Sequence, residues 1–179
     1  MGKGNNYNTF INNINNEDGN VKVIFEIGSW DGLDGITAYK RFNAEKCYIF
    51  ECNSTLLEQC EKNIKNYENI YLCSNAVYDK DNCILPFIYP EQLPGAKRNW
   101  DGMGSLNGRT KNNYYEKTGH LYKDLDETNS KFITCNVETI RLDTFCKNNN
   151  IEQVDLMMID VEGVPLKILQ SYGEKIKNI

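Results

Sequence analysis

The sequence predicts an α/β fold with a mostly parallel β-sheet. Short apolar runs typical of buried strands alternate with segments whose apolar residues recur at helical spacing. This alternation favours helices that pack on the faces of a parallel sheet. The chain has 179 residues. Because a domain typically has roughly 150 residues, this length predicts one domain.

Four apolar runs are predicted to form the strands of this sheet. The first covers residues 21–27 and is ended by Gly28. The others cover residues 47–51, 70–73 and 154–159. We expect all four to be buried and to lie side by side, because each is separated from the next by a helix or a longer connection.

Apolar residues at helical spacing predict the helices. An amphipathic segment from Tyr7 to Ile14, with Phe10, Ile11 and Ile14 on one side, precedes the first strand and is ended by residues 18–20. Asn53 or Ser54 is expected to cap the helix after the second strand. The residues that define the later helices are Ile36, Tyr39 and Phe42; Leu56, Leu57, Cys60 and Ile64; Leu142 to Lys147; and Leu166, Leu169 and Tyr172.

The middle of the chain departs from this alternation. Residues 84–88 are strand-like, although Pro86 indicates an edge position or a bulge. Residues 131–137 are also strand-like and are expected to pair with them. The segment 90–130 has no clean periodicity and is too long for a passive connection, so we expect a substrate-region insertion. The predicted organisation is an Asn-rich extension over 1–20 and one domain over 21–179.

Composition and charge disfavour several classes of protein. No apolar run approaches the ~20 residues that cross a bilayer, and no apolar signal segment follows Met1, so a cytoplasmic protein is expected. The net charge of −5 argues against a nucleic-acid partner, because a negative chain repels phosphate. The seven cysteines lack the paired spacing of a zinc site, and we predict no bound metal.

The segment around Gly28 is the first candidate site. A strand brings Glu26 to the loop, and Gly28 and Gly32 then bend the chain towards a helix. Both glycines permit positive φ and let a ligand contact the backbone, while the amides at the helix start favour an anionic group. Glu26 can accept a hydrogen bond from an ammonium group or orient the loop. These features suit an amino-acid-like cofactor, although a plain tight turn explains the same residues.

Two further strands end in carboxylates. Glu51 closes the second strand, where an acid can bind both hydroxyls of a ribose; the alternative is a solvated glutamate. Asp160 and Glu162 follow the last strand, at the crevice where open α/β sheets bind ligands. Either of these acids can act as a general base or orient a substrate hydroxyl. The alternative is that Asp160 only caps the helix that begins near Pro165.

With these motifs the sequence resembles the FkbM family of S-adenosylmethionine-dependent methyltransferases. The combination of Thr139, Leu142 and Asp143 with the later Asp-Val-Glu-Gly run is the most specific part of the likeness. The segments that carry the resemblance cover residues 26–32, 50–53, 104–106, 137–143 and 159–163, and they span most of the chain.

This resemblance implies a Rossmann-like methyltransferase fold and methyl transfer from S-adenosyl-L-methionine to a hydroxyl of a sugar or another small molecule. It places Glu26, Gly28 and Gly32 at the methionine end of the cofactor, Glu51 at the ribose, and Asp160 and Glu162 at the methyl group and acceptor. The cofactor-binding positions that it implies are Glu26, Gly28, Ser29, Asp31, Gly32, Glu51, Asn53, Asn75 and Ala76.

Substrate contacts are expected in the insertion. Its basic and aromatic residues suit an acidic sugar or the face of a ring, although a solvated loop whose aromatic residues fold back on the core would contain the same types. Ser105 is a candidate substrate contact through the family likeness. His120 is a candidate base or substrate contact.

One difference from the family pattern concerns the end of the sequence. The pattern continues into further strands, whereas this sequence ends at Ile179, so the C-terminal strands are expected to be missing and the strand at 154–159 to lie near an open sheet edge. Either the chain is a truncated product, or a partner such as a second copy covers that edge. The alternative function is therefore a non-catalytic cofactor-binding or interaction module of the same fold.

A nicotinamide-dependent oxidoreductase is disfavoured by the same glycine-containing loop. Such enzymes carry Gly-x-Gly-x-x-Gly after their first strand. Here Trp30 stands where the middle glycine is required.

Overall fold

A computed structural model describes residues 4–14, 21–90, 104–106 and 132–178 of the chain. Helices and strands alternate along much of this part of the chain, except that the strands Ile70–Cys73, Ala76–Val77 and Ile84–Pro90 follow one another directly. The elements are α1 (Gly4–Asn13), β1 (Val23–Ile27), α2 (Leu33–Phe42), β2 (Lys46–Phe50), α3 (Leu57–Ile64), β3 (Ile70–Cys73), β4 (Ala76–Val77), β5 (Ile84–Pro90), β6 (Phe132–Ile140), α4 (Leu142–Asn148), β7 (Leu156–Ile159), α5 (Pro165–Ser171) and a 3-10 helix (Gly173–Asn178).

The central sheet has four strands in the order β3-β2-β1-β7. Every neighbouring pair in it is parallel. The prediction of a mostly parallel α/β sheet is therefore confirmed, and all four predicted strands belong to it. β1 lies at the centre, so the chain segments that leave the carboxyl ends of β1, β2 and β7 come together at one edge of the sheet.

Both faces of this sheet are covered by apolar layers. Phe25 and Ile27 of β1 pack into one cluster with residues of α4 and α5, including the fully buried Leu142. Ile24 packs on the other face with residues of α1 and α2, including Ile11. Coverage on both sides explains the nearly continuous apolar character of the strands, which is typical of parallel sheets.

A second, smaller sheet has the order β4-β6-β5. β5 and β6 are antiparallel, with registers that run from Ile84 opposite Glu138 to Pro90 opposite Phe132. The predicted pairing of residues 84–88 with 131–137 is confirmed, and β5 lies at an edge of the sheet order, as Pro86 indicated. β4 was not predicted, because two residues are too few to show a period.

Polar residues of the segment 137–143 hold this second sheet to α4. The Thr139 hydroxyl is buried and donates to the Lys80 carbonyl oxygen at 2.7 Å. The Arg141 guanidinium binds both carboxylate oxygens of Asp143, at 2.9 and 2.6 Å. Asp81 accepts a hydrogen bond from the Arg141 N–H at 2.7 Å. This part of the sequence pattern therefore stabilises the fold.

Two of the predicted helices present a different face to the core than expected. In α1, Ile11 is fully buried, but Phe10 is 53% exposed, so the expectation that it shares the buried side was wrong. In α5, Leu166 is 65% exposed, whereas Tyr172 of the same predicted stripe is buried, and Ile168, which was not assigned to the stripe, is buried beside it. Neighbouring positions on a helix are about 100° apart, so an assignment wrong by one or two residues moves a side chain into solvent.

None of the helices within the described ranges has the length and apolar character required to span a bilayer.

Candidate functional site

An open cavity of about 610 Å³, a volume that includes adjoining solvent, lies at the carboxyl ends of β1, β2 and β7. Gly28 after β1, Glu51 after β2 and Asp160 after β7 all line it. This edge is where open α/β sheets bind ligands, because the loops that follow parallel strands meet there.

The ends of β1 and β7 are in close contact. The Asp160 N–H donates a hydrogen bond to the Ile27 carbonyl oxygen at 2.9 Å. Gly28 has a φ of 81°, and a Cβ at this position would overlap the Asp160 carbonyl oxygen. Glycine is therefore required here both for its backbone conformation and for the approach of the neighbouring chain.

Glu51 joins the loop after β1 to the loop after β2. Its Oε2 accepts a hydrogen bond from the Trp30 N–H, and its Oε1 accepts one from the Asn53 N–H, both at 2.8 Å. The residue is only 7% exposed, yet it lines the cavity. Two backbone donors thus fix the carboxylate at the edge of the cavity.

Asn53 has a structural task beside its place in the cavity lining. Its Oδ1 accepts hydrogen bonds from the Thr55 hydroxyl at 2.8 Å and from the Thr55 N–H at 3.2 Å. It therefore stabilises the turn that leads into α3 rather than forming a side-chain cap on the helix itself.

Glu26 does not line the cavity that Glu51 and Asp160 share. It lies on the α2 face of the sheet, where its Oε2 accepts a hydrogen bond from the Gly35 N–H at 3.0 Å. Burial raises the pKa of Glu26 to about 8, while the nearby Ser29 hydroxyl and the hydrogen bond from Gly35 act in the opposite direction. From this position Glu26 can orient the loop after β1 and α2, and it is less well placed to contact a ligand directly.

Three other predicted positions of the same loop also lie outside the cavity lining. Ser29 and Gly32 are buried in the turn. The Oδ1 of Asp31 accepts a hydrogen bond from the Leu33 N–H at 3.0 Å, at the start of α2. These residues shape the loop after β1, whereas Gly28 is the predicted loop residue that reaches the cavity.

The segment 104–106 crosses from β5 to the loop after β7, and we call it the Ser105 strap. Ser105 exchanges two backbone hydrogen bonds with Ile88 of β5, at 2.9 and 3.0 Å. Its hydroxyl donates to the Glu162 carbonyl oxygen at 2.9 Å. Because the side chain is 2% exposed and bonded in this way, Ser105 holds the cavity wall in place.

Four of the remaining predicted site residues line the cavity, and one lies outside the described part of the chain. Asp160, which is exposed, and the half-buried Glu162 both line the cavity, and so do Asn75 and Ala76. His120 lies outside the described residues. Within the described ranges, no group of three or more His, Cys, Asp or Glu side chains is arranged to hold a metal ion.

Comparison with known proteins identifies the family. The model of the methyltransferase FkbM domain matches residues 14–179. The chain belongs to this family. The FkbM domain is also 26% identical over 154 residues to the 2-O-methyltransferase NoeI of Sinorhizobium fredii (strain NBRC 101917 / NGR234). The matched stretch covers 86% of this chain and 58% of NoeI. It thus spans less than two thirds of the length of this relative.

The cavity of the FkbM domain also contains residues that the sequence did not point to. They include Trp30 in the loop after β1, Cys52 next to Glu51, and Phe87 under the Ser105 strap. Trp30 lies inside the glycine-containing motif, so its position could have been noticed from the sequence. Phe87 could not, because its place in the wall depends on a contact with Gly104 across the insertion.

Proposed function

We propose that the chain transfers a methyl group from S-adenosyl-L-methionine to a hydroxyl of a sugar or another small molecule. The observation that carries this proposal is the charge of the cavity. Glu51, Asp160 and Glu162 line it, and no Lys, Arg or His is among its described lining residues. Such a lining favours a cationic sulfonium compound over a phosphate-bearing cofactor.

The residues present fit an adenosine-containing ligand. Glu51 lines the cavity with both carboxylate oxygens fixed by backbone N–H groups, and it would hold the two ribose hydroxyls. Asn75 and Ala76 line the same cavity as the apolar residues Leu56 and Phe50, and a nucleobase would bind among them. Bound S-adenosylmethionine would supply a methyl group that is already activated by a sulfonium centre.

The chain itself would then align the acceptor and receive its proton. Asp160 is exposed at the cavity, so its carboxylate can accept the hydrogen bond of an acceptor hydroxyl. Proton removal by a positioned carboxylate contributes about 10²–10⁴-fold to such reactions. Glu162 lies in the same loop and can orient the acceptor, while the Ser105 strap holds its backbone.

The class of acceptor is supported by the relative. NoeI is named a 2-O-methyltransferase, which favours oxygen over nitrogen as the methylated atom. A sugar or a similar polyol is the acceptor class that we propose for this chain. The presence of two carboxylates at the cavity also favours a catalytic role over the alternative of a binding module without activity.

Calorimetry with the 179-residue chain tests the cofactor. S-adenosylhomocysteine, the demethylated product, is expected to bind, whereas NADH is expected not to bind. Absence of binding by S-adenosylhomocysteine would overturn the proposal.

A second experiment tests the reaction. The chain is incubated with methyl-labelled S-adenosylmethionine and a panel of monosaccharides and oligosaccharides. We expect the labelled methyl group to enter an acid-stable product in which it is bonded to oxygen. The amount of S-adenosylhomocysteine released should equal the amount of methyl group transferred. Label on nitrogen, or no transfer to any member of the panel, would count against hydroxyl methylation by this chain.

A further inference from the structure

We propose that the indole of Trp30 is a wall of the cofactor site, and that the loop after β1 holds its backbone in a left-handed conformation to present it there. This inference rests on the proposed function, because it assigns the ring to the adenosine part of the cofactor. Trp30 lines the same cavity as Glu51 and Asp160.

The first observation is the backbone of Trp30. Its φ is 64°, in the region that bulky residues with a Cβ rarely adopt. The other described non-glycine residues with positive φ are all asparagines, namely Asn43, Asn82 and Asn150. Glycine would adopt the conformation at position 30 without strain, so a tryptophan there indicates that its side chain has a task.

The second observation is that the strained conformation is held from several sides. The Trp30 N–H donates to the Glu51 carboxylate at 2.8 Å. The Trp30 carbonyl oxygen accepts a hydrogen bond from the buried Cys60 thiol at 3.5 Å. The Asp31 N–H donates to the Ser29 carbonyl oxygen at 2.8 Å. Strained residues persist where their surroundings over-determine them, and such residues cluster at ligand sites.

The third observation is the bond to Glu51 itself. The carboxylate that would hold the ribose is fixed by the backbone amide of Trp30, which itself lines the cavity. The position of the indole and the position of the ribose acceptor are therefore set by the same contact. An aromatic face beside a ribose site suits a nucleobase or the apolar edge of a nucleoside, because stacking on an aromatic ring is favourable for any base.

Fluorescence tests whether the ring contacts the ligand. The chain has two tryptophans, and Trp100→Phe leaves Trp30 as the sole tryptophan, whose emission is selected by exciting beyond the tyrosine absorption. Titration of this variant with S-adenosylhomocysteine, and separately with adenosine, is expected to give a saturable change in emission with each ligand. Emission that stays unchanged while calorimetry shows saturation would overturn the inference.

Substitutions test whether the ring contributes to affinity. Trp30→Phe is expected to keep most of the affinity for S-adenosylhomocysteine, whereas Trp30→Gly and Trp30→Asn are expected to lose about tenfold or more. Both of the latter residues tolerate the left-handed backbone, so we expect the relief of strain to offset part of the stability lost with the half-buried indole, and the variants to remain folded. Asn43→Gly is the matched control, because it relaxes a left-handed residue after α2 and should leave affinity unchanged.

The outcomes separate this inference from the function on which it rests. If the wild-type chain does not bind S-adenosylhomocysteine, the proposed function fails and the inference fails with it. If the wild-type chain binds, and Trp30→Gly and Trp30→Asn bind equally well, the function stands and only the role of Trp30 is overturned.

Discussion

The Gly35 N–H donates a hydrogen bond to the buried carboxyl group of Glu26, with 3.0 Å between Gly35 N and Glu26 Oε2. A Cβ at position 35 would overlap this oxygen, so α2 approaches β1 as closely as the backbone allows. Glu26 is 5% exposed. Burial, together with the charges of Asp34 and Asp31, raises its pKa to about 8. The group is therefore mostly protonated at neutral pH.

This raised pKa predicts a pH dependence of stability. Between the ordinary value of 4.5 and about 8, the folded chain keeps the Glu26 proton that the unfolded chain has lost. The free energy of unfolding therefore falls as the pH rises through this window. At about 1.4 kcal/mol per pKa unit, the upper limit of the effect is about 5 kcal/mol. Glu26→Gln keeps an acceptor for Gly35 and cannot ionise, so its stability relative to wild type should increase with pH.

Urea unfolding of both proteins at pH values from about 5 to about 9 measures this difference. Glu45→Gln is the control, because its side chain is 64% exposed and paired with Lys22 at 3.3 Å. Parallel pH curves for wild type and Glu26→Gln would show that Glu26 does not titrate in this window.

A second prediction concerns the Ser105 strap. A Cβ at Gly104 would overlap the ring of Phe87, which is 7% exposed and has little room to move. Gly104→Ala is therefore expected to lower the free energy of unfolding by about 1–3 kcal/mol. Phe87→Leu shortens the opposing side chain, so the double variant should lose less stability than the two single variants together.

Thermal or urea unfolding of the two single variants and the double variant completes this cycle. Strictly additive losses would mean that the two residues do not meet, and would contradict the placement of the strap on Phe87.

A third prediction concerns Glu51. Glu51→Ala removes the acceptor of two backbone N–H groups, which costs about 1–3 kcal/mol for each group that is left buried without a partner. It should therefore lower both stability and the affinity for S-adenosylhomocysteine. Glu51→Gln keeps one oxygen acceptor, so it should lose less stability while still binding the ligand more weakly. Calorimetry and urea unfolding measure the two effects separately.

The matched control for Glu51 is Glu58→Gln on the exposed side of α3. It should change neither quantity. Wild-type affinity in Glu51→Gln would exclude the ribose role that we assign to the carboxylate.

A fourth prediction concerns the acceptor side of the cavity. Asp160→Asn should bind S-adenosylhomocysteine like the wild type, because the change is isosteric and Asp160 is exposed. Methyl transfer should fall by about 10²–10⁴-fold if this carboxylate receives the proton. The exposed Glu152 provides a control variant, Glu152→Gln, on the chain segment before β7.

Parallel measurement of Glu162→Gln assigns the base. A larger loss of turnover in Glu162→Gln than in Asp160→Asn would reverse the roles that we propose for these two acids.

The parallel sheet could be predicted from the sequence because its strands are buried on both faces. β3 was predicted at the bounds that the structure shows, since Ile70 to Cys73 forms an apolar run between polar turns. The meeting of Glu51 and Asp160 at one cavity could also be predicted, because the carboxyl ends of parallel strands lie at one edge.

The position of Glu26 could not be predicted in the same way. It precedes the last residue of β1 and shares the face of Ile24, because side chains alternate along a strand. A carboxylate near a strand end can therefore point away from the crevice. Trp30 and Phe87 were missed for another reason. Their places in the cavity depend on a left-handed backbone and on a contact across the insertion, and neither has a periodic signal.

Pro90 pairs with Phe132 at the ends of β5 and β6, and this pairing affects how the sequence of the insertion can vary among such domains. The insertion between Pro90 and Phe132 therefore begins and ends at one pair of neighbouring strand residues. Ser105 pairs with Glu162 at an intermediate position of the insertion. Closing a longer loop adds only about 0.6 kcal/mol per doubling of its length. Sequence can therefore be exchanged, lengthened or shortened on either side of Ser105 while the scaffold that carries Glu51 keeps its register.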